Sequence, residues 1–122
     1  MTANAELTEL TKRHKVHQIR SGTSHRFIDI SIVESCGRFF VRQYKFAKHS
    51  WREAFLQQPK GQIKWENKQF DIVAQVPSDL TEITSLVDRA YVAKYGITYY
   101  LMRLTFNTKK HLASTLELVP TN

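Results

Sequence analysis

The chain has 122 residues, of which 42% are hydrophobic and 24% charged, with 18 Lys and Arg against 11 Asp and Glu. That length sets one domain over residues 1–122, and the composition is that of a folded protein rather than a disordered one. A single cysteine, Cys36, excludes an intrachain disulfide framework and suits a reducing compartment; without an apolar h-region at the N-terminus, or any apolar run near the ~20 residues of a membrane span, the expectation is a cytoplasmic protein with no membrane partner.

Ala5 to Lys15 predicts a short helix with Leu7 and Leu10 on one side, polar enough that residues 1–14 read as loosely packed. Lys15 to Arg20 alternates weakly around Val16 and Ile19 and predicts a first strand, followed by a turn at Ser21-Gly22-Thr23-Ser24. Arg26 to Val33 alternates well, with Ile28, Ile30 and Ile32 on one face, and predicts one half-buried strand. Glu34-Ser35-Cys36-Gly37 reads as a hairpin turn, and Arg38 to Tyr44 as the returning strand.

A helix is predicted over Ser50 to Gln58. Ser50 and Glu53 have the spacing of a capping box, and Trp51, Ala54 and Phe55 form one apolar face. Pro59-Lys60-Gly61 stops it. A second hairpin is expected from Gln62 to Glu66 and Gln69 to Val76, turning at Asn67-Lys68. The clearest helix follows Pro77, capped by Ser78 or Asp79, with Leu80, Ile83, Val87, Ala90, Tyr91 and Lys94 on one face and Gly96 as its stop. Ile97 to Phe106 is apolar and aromatic without a decisive period; it reads as a helical or irregular extension, with a strand as the competing assignment. Ala113 to Val119 predicts the last strand. Five or six antiparallel strands with two or three inserted helices close naturally into a small barrel, an α+β fold.

The charge is concentrated. Lys12 to Arg52 holds ten basic and two acidic residues, so the first half carries the positive field and faces an anionic partner: nucleic acid, an acidic surface or a phosphorylated cofactor. Arg42, Lys45, Lys48 and Arg52, with His49, crowd the start of the helix at Ser50. A helix N-terminus carries partial positive charge, so cations gather there to advantage when an anion sits among them. Arg42, Lys45, Lys48, Ser50 and Arg52 are therefore the expected anion pocket; a solvated basic loop before a short helix is the competing reading. Other chemistry is missing. The four glycines form neither a Walker loop nor GxGxxG, and no serine sits in a GxSxG elbow. His14 and His17 lack a third ligand, so no metal is expected, and Cys36 reads as an idle thiol. Gly37-Arg38-Phe39-Phe40-Val41 breaks the pattern of an RNA-recognition strand at Cys36 and Phe39.

The order of elements resembles the split β-barrel flavin-binding superfamily, which includes pyridoxamine phosphate oxidases and deazaflavin-dependent nitroreductases. More closely, the chain resembles a family of small uncharacterised bacterial proteins of that fold. The resemblance runs from Val16 to Pro120 and rests on Phe40-Val41-Arg42, Ser50-Trp51-Arg52, Arg89-Ala90-Tyr91-Val92-Ala93-Lys94-Tyr95-Gly96 and Ser114-Thr115-Leu116-Glu117-Leu118-Val119-Pro120. Deazaflavin reductases hold cofactor phosphates with a Lys-His-Pro-x-Trp-type segment before a helix. Lys48-His49-Ser50-Trp51 stands in that place, with Ser50 for the proline and the bulkier Tyr44, Lys45 and Phe46 upstream. The resemblance implies a cofactor, FMN or a deazaflavin, bound by a homodimer acting as an oxidoreductase or cofactor carrier; Trp51 is read as a packing residue, with stacking on a flavin as the competing role. A non-enzymatic anion-binding domain, with nucleic acid as a partner, is the alternative on the same barrel.

Overall fold

The computed structural model describes residues 3–43, 50–65, 67–103 and 108–121. The turn expected over Glu34 to Gly37 tightens to Cys36-Gly37, because Glu34 and Ser35 already pair with Phe39 and Arg38; it joins β3 (Val33–Ser35) to β4 (Arg38–Val41). Both turn residues have positive φ, 54° and 75°, as a two-residue type I′ turn requires. Upstream, α1 (Ala3–Arg13) buries Leu7 and Leu10, and β1 (His17–Ser21) and β2 (Ile28–Ile30) pair antiparallel.

The single strand expected over Arg26 to Val33 is two. Ile28–Ile30 pairs with β1, whereas Val33–Ser35 pairs with β4, and Ser31-Ile32 carries the chain between them. The remaining strands are β5 (Lys60–Trp65), β6 (Lys68–Gln75) and β7 (Leu116–Pro120), giving the antiparallel order β2-β1-β5-β6-β7-β4-β3. Since β2 and β3 adjoin in sequence yet end opposite sides of that order, the sheet curls until its edges meet across two residues. This is the expected α+β split barrel. The β5–β6 turn falls one residue earlier than expected, because Lys68 already pairs with Trp65. Glu66 lies outside the described residues.

The helices are α2 (Trp51–Gln57), α3 (Leu80–Tyr95), α4 (Ile97–Arg103) and α5 (Thr108–Ala113). Ser50 caps α2 by accepting the Glu53 amide at 3.2 Å. At the other end, the Ser21 hydroxyl lies 3.1 and 2.8 Å from the carbonyls of Ala54 and Gln58, which ties α2 to the end of β1. Asp79 stands at the α3 N-cap without capping it. Arg38 holds that carboxylate instead, at 2.8 and 3.0 Å, so the expected cap is replaced by an ion pair. Gly96 ends α3 at φ 66° as expected, and Ile97 to Arg103 is helical. The short helix α5 was not expected from the sequence.

Alternation in β4 sorts the core into two parts. Phe39 and Val41 face the barrel interior with Ile19, Ile63, Ile72, Leu116 and Leu118. Phe40 faces outward, with Val33, onto Ile83, Val87, Tyr91 and Tyr99 of the helical layer.

Candidate functional site

Two adjoining depressions open beside the start of α2 and share Ser50 and Glu53. The larger, about 440 Å³, lies between α2 and the β1–β2 hairpin and is lined by Arg20, His25, Arg26, Ser50 and Trp51 among others. The smaller, about 260 Å³, is lined by Gln43, Ser50, Arg52, Lys110 and Ser114. Trp51 is half-buried: it packs on the barrel core, meets Phe55 edge-on at 6.4 Å, and still forms a wall of the larger cleft.

Charge compensation separates these arginines from the others. Arg38 is bound by Asp79 and Glu117, and its pKa is pushed up chiefly by those hydrogen bonds. Arg20, Arg26 and Arg52 take no carboxylate partner among the described residues. Arg20 donates from Nε and Nη2 to Gln62 Oε1 at 2.9 and 2.6 Å and lies 4.3 Å over the Phe27 ring, both neutral neighbours. Arg52 donates Nε to the Ser114 carbonyl at 3.0 Å. The exposed Glu53 is the acid at this site, so the cluster keeps a positive balance.

Of the five residues expected to form the anion pocket, Ser50 and Arg52 line these depressions, and Lys45 and Lys48 lie outside the described residues. Arg42 is placed elsewhere. The alternation that turns Phe40 outward turns Arg42 outward too, under α3 and α4, where only 2% of it is exposed. Its guanidinium pairs with Asp88 and donates to Thr115 Oγ1 at 2.9 Å, Tyr99 Oη at 3.0 Å and the Thr84 carbonyl at 3.2 Å. It lines a third cavity, distinct from the two beside α2. Sequence reasoning passed over Arg20, His25, Arg26 and Lys110. The first three lie in the basic segment that charge counting singled out, while Lys110 belongs to the unexpected α5.

His111 sits at the end of the Arg42 network. Its Nδ1 is 2.8 Å from the Gln43 carbonyl, which can only accept, so Nδ1 carries the proton and Nε2 accepts from the Tyr99 hydroxyl at 2.8 Å. Among the described residues no cluster of His, Cys, Asp and Glu could hold a metal, and no helix is long and apolar enough to cross a membrane.

The family described as "Uncharacterized protein conserved in bacteria (DUF2255)" matches residues 6–118, nearly the whole chain. No curated protein matches. Among solved structures, the fold is similar to a putative pyridoxamine 5'-phosphate oxidase from Listeria innocua, with a TM-score of 0.62 and 9% identity over 99% of this chain and 95% of that one. It is also similar to HutZ, the heme storage protein from Vibrio cholerae, with a TM-score of 0.55 and 14% identity over 99% and 90% of the two chains.

Proposed function

This chain belongs to that bacterial family and carries the split barrel, and from that premise we propose that it binds a phosphorylated flavin-type cofactor, FMN or a deazaflavin, in the cleft beside α2. The observation that carries the reading is the gathering of Arg20 and Arg26 around a cleft of about 440 Å³ with an indole in its wall, and of Arg52 in the depression that adjoins it at Ser50, none of the three matched by a carboxylate among the described residues. That volume falls in the range of small-molecule sites, roughly 300–1,000 Å³. The phosphate sits towards Ser50 and Arg52, where an arginine fork matches its oxygens. Lys45 and Lys48, expected in the cation set from the sequence, lie outside the described residues, and Arg42 is left out of it. Redox chemistry would belong to the cofactor, with the chain supplying position and charge. The two solved neighbours, a putative pyridoxamine 5'-phosphate oxidase and a heme storage protein, support a cofactor-binding reading. The proposed assembly is a homodimer that covers α4, where Ile97, Tyr100 and Leu101 are 74%, 50% and 57% exposed; a monomer mass in sedimentation at micromolar concentration contradicts it.

The test is an absorbance spectrum of the purified protein, followed by fluorescence titration with FMN and with a deazaflavin. The parent should bind at least one of them, and Arg26→Ala/Arg52→Ala should weaken binding about tenfold or more, ~1.4 kcal/mol. Equal affinity in parent and variant puts the cofactor elsewhere. A parent that binds neither, but binds single-stranded nucleic acid with an affinity that falls with salt, replaces the cofactor reading with the anion-binding one.

A further inference from the structure

Arg52 meets the smaller depression with one edge of its guanidinium held and the other open. It is half-buried in the first turn of α2, and its Nε donates to the Ser114 carbonyl at 3.0 Å. Among the described residues neither of its Nη groups makes a hydrogen bond, so that edge is left to a ligand. The direction of Arg52 therefore depends on what fixes Ser114.

Ser114 follows the last residue of α5 and is tied on both sides. Its Oγ donates to the His111 carbonyl at 2.6 Å and accepts from the Gln43 amide at 2.8 Å. His111 closes the knot. Its Nδ1 donates to the Gln43 carbonyl at 2.8 Å, and its Nε2 accepts from the Tyr99 hydroxyl at 2.8 Å, which locks the ring. Gln43, His111 and Ser114 are all buried, so water does not readily replace a lost bond among them. A helix of six residues such as α5 has little stability of its own, and its place is set by these tertiary bonds.

We propose that His111 is a positioning residue for the anion site. By tying α5 to Gln43 it fixes the Ser114 carbonyl and, through that carbonyl, the angle at which Arg52 offers its Nη edge to an oxyanion. Only the identity of the anion, a cofactor phosphate, rests on the function proposed above. An arginine fork matches oxyanion oxygens in its own plane, so its angle matters. A guanidinium already held in that pose also loses less side-chain freedom when the anion arrives.

His111→Phe keeps a ring and removes both nitrogens, whereas His111→Asn offers an amide N–H in place of Nδ1–H. NMR of the arginine Nε–H groups needs no ligand. In the parent, Arg52 Nε–H should be ordered and slow to exchange with solvent. It should become mobile and fast-exchanging in His111→Phe and recover in His111→Asn. Arg20 Nε–H, bonded to Gln62 across the larger cleft, should stay unchanged throughout, which separates a directed effect from general loosening. FMN should bind His111→Phe about fivefold more weakly than the parent, and an Arg52→Ala background should remove most of that difference. If His111→Phe does not fold, Ser114→Ala, which cuts the Oγ bonds to His111 and Gln43, takes its place. A parent that binds no FMN defeats the cofactor reading, and the Nε–H measurement alone then decides this inference. The inference is overturned if Arg52 Nε–H is unchanged in the folded variant, if Arg20 Nε–H loosens equally, if His111→Asn behaves as His111→Phe does, or if the loss of FMN affinity persists in full without Arg52.

Discussion

Neutralising Asp88 tests the role the structure gives Arg42. The Arg42 side chain is fully buried while Asp88 keeps 22% of its surface exposed. In Asp88→Asn the guanidinium stays packed under α3 and α4, held by Thr115, Tyr99 and the Thr84 carbonyl, but without its counter-charge. Breaking a buried pair from one side costs about 3–5 kcal/mol, and the partial exposure of Asp88 places this case near the lower end, ~3 kcal/mol. For a chain of this length that is a drop of about 10 °C in melting temperature. Urea denaturation gives the free energy directly, with the midpoint falling and the slope unchanged. Cofactor affinity, measured below the new transition, should stay that of the parent, because Arg42 points away from the α2 cleft. A loss under 1 kcal/mol would mean that water or another group compensates Arg42. A large loss of cofactor affinity in a folded Asp88→Asn protein would return Arg42 to the anion pocket.

His17 and Gly61 give two further expectations. Burial pushes the His17 pKa down to about 4, against the opposing pull of its hydrogen bond from Nε2 to the Leu10 carbonyl at 2.9 Å. The unfolded chain therefore takes up a proton near pH 6.5 that the folded chain refuses, so stability falls as pH drops from about 6.5 to about 4, by on the order of 3 kcal/mol. His17→Gln, which keeps a donor but does not titrate, should flatten that stretch of the stability–pH curve relative to the parent; parallel curves would refute the assignment. At Gly61, a Cβ would meet the Arg20 carbonyl at 2.3 Å and the buried Phe55 ring at 2.6 Å. Gly61→Ala should cost about 2–3 kcal/mol by forcing β1 or α2 outward, and an unchanged melting temperature would show that α2 is more loosely seated than its contacts indicate.

What the sequence determined by itself is local. The Ser50 cap, the apolar stripe of α3 and its stop at Gly96 each depend on residues within a few positions, and each stands where the sequence put it, while the hairpin expected over Glu34 to Gly37 forms with its turn narrowed to Cys36-Gly37. The excess of cations in the first half was likewise countable, and it includes the Arg20, Arg26 and Arg52 of the proposed cleft. Tertiary structure decided what depends on partners far along the chain. Arg26 to Val33 alternates like one strand, yet β2 and β3 divide it because their partners sit at opposite ends of the sheet order. The six-residue α5 is short and polar, without an apolar period to announce it, and it is placed by His111 and by Ser114 bonding back to Gln43. Asp79 looks like a helix cap until Arg38, 41 residues away, takes its carboxylate. Arg42 looks like one more cation of a basic cluster until the curl of the barrel brings Asp88, Tyr99 and Thr115 around it, 46, 57 and 73 residues further on. A charge reads as available or spent only once its neighbours in space are known, because a guanidinium buried against a carboxylate has no field left to offer a ligand.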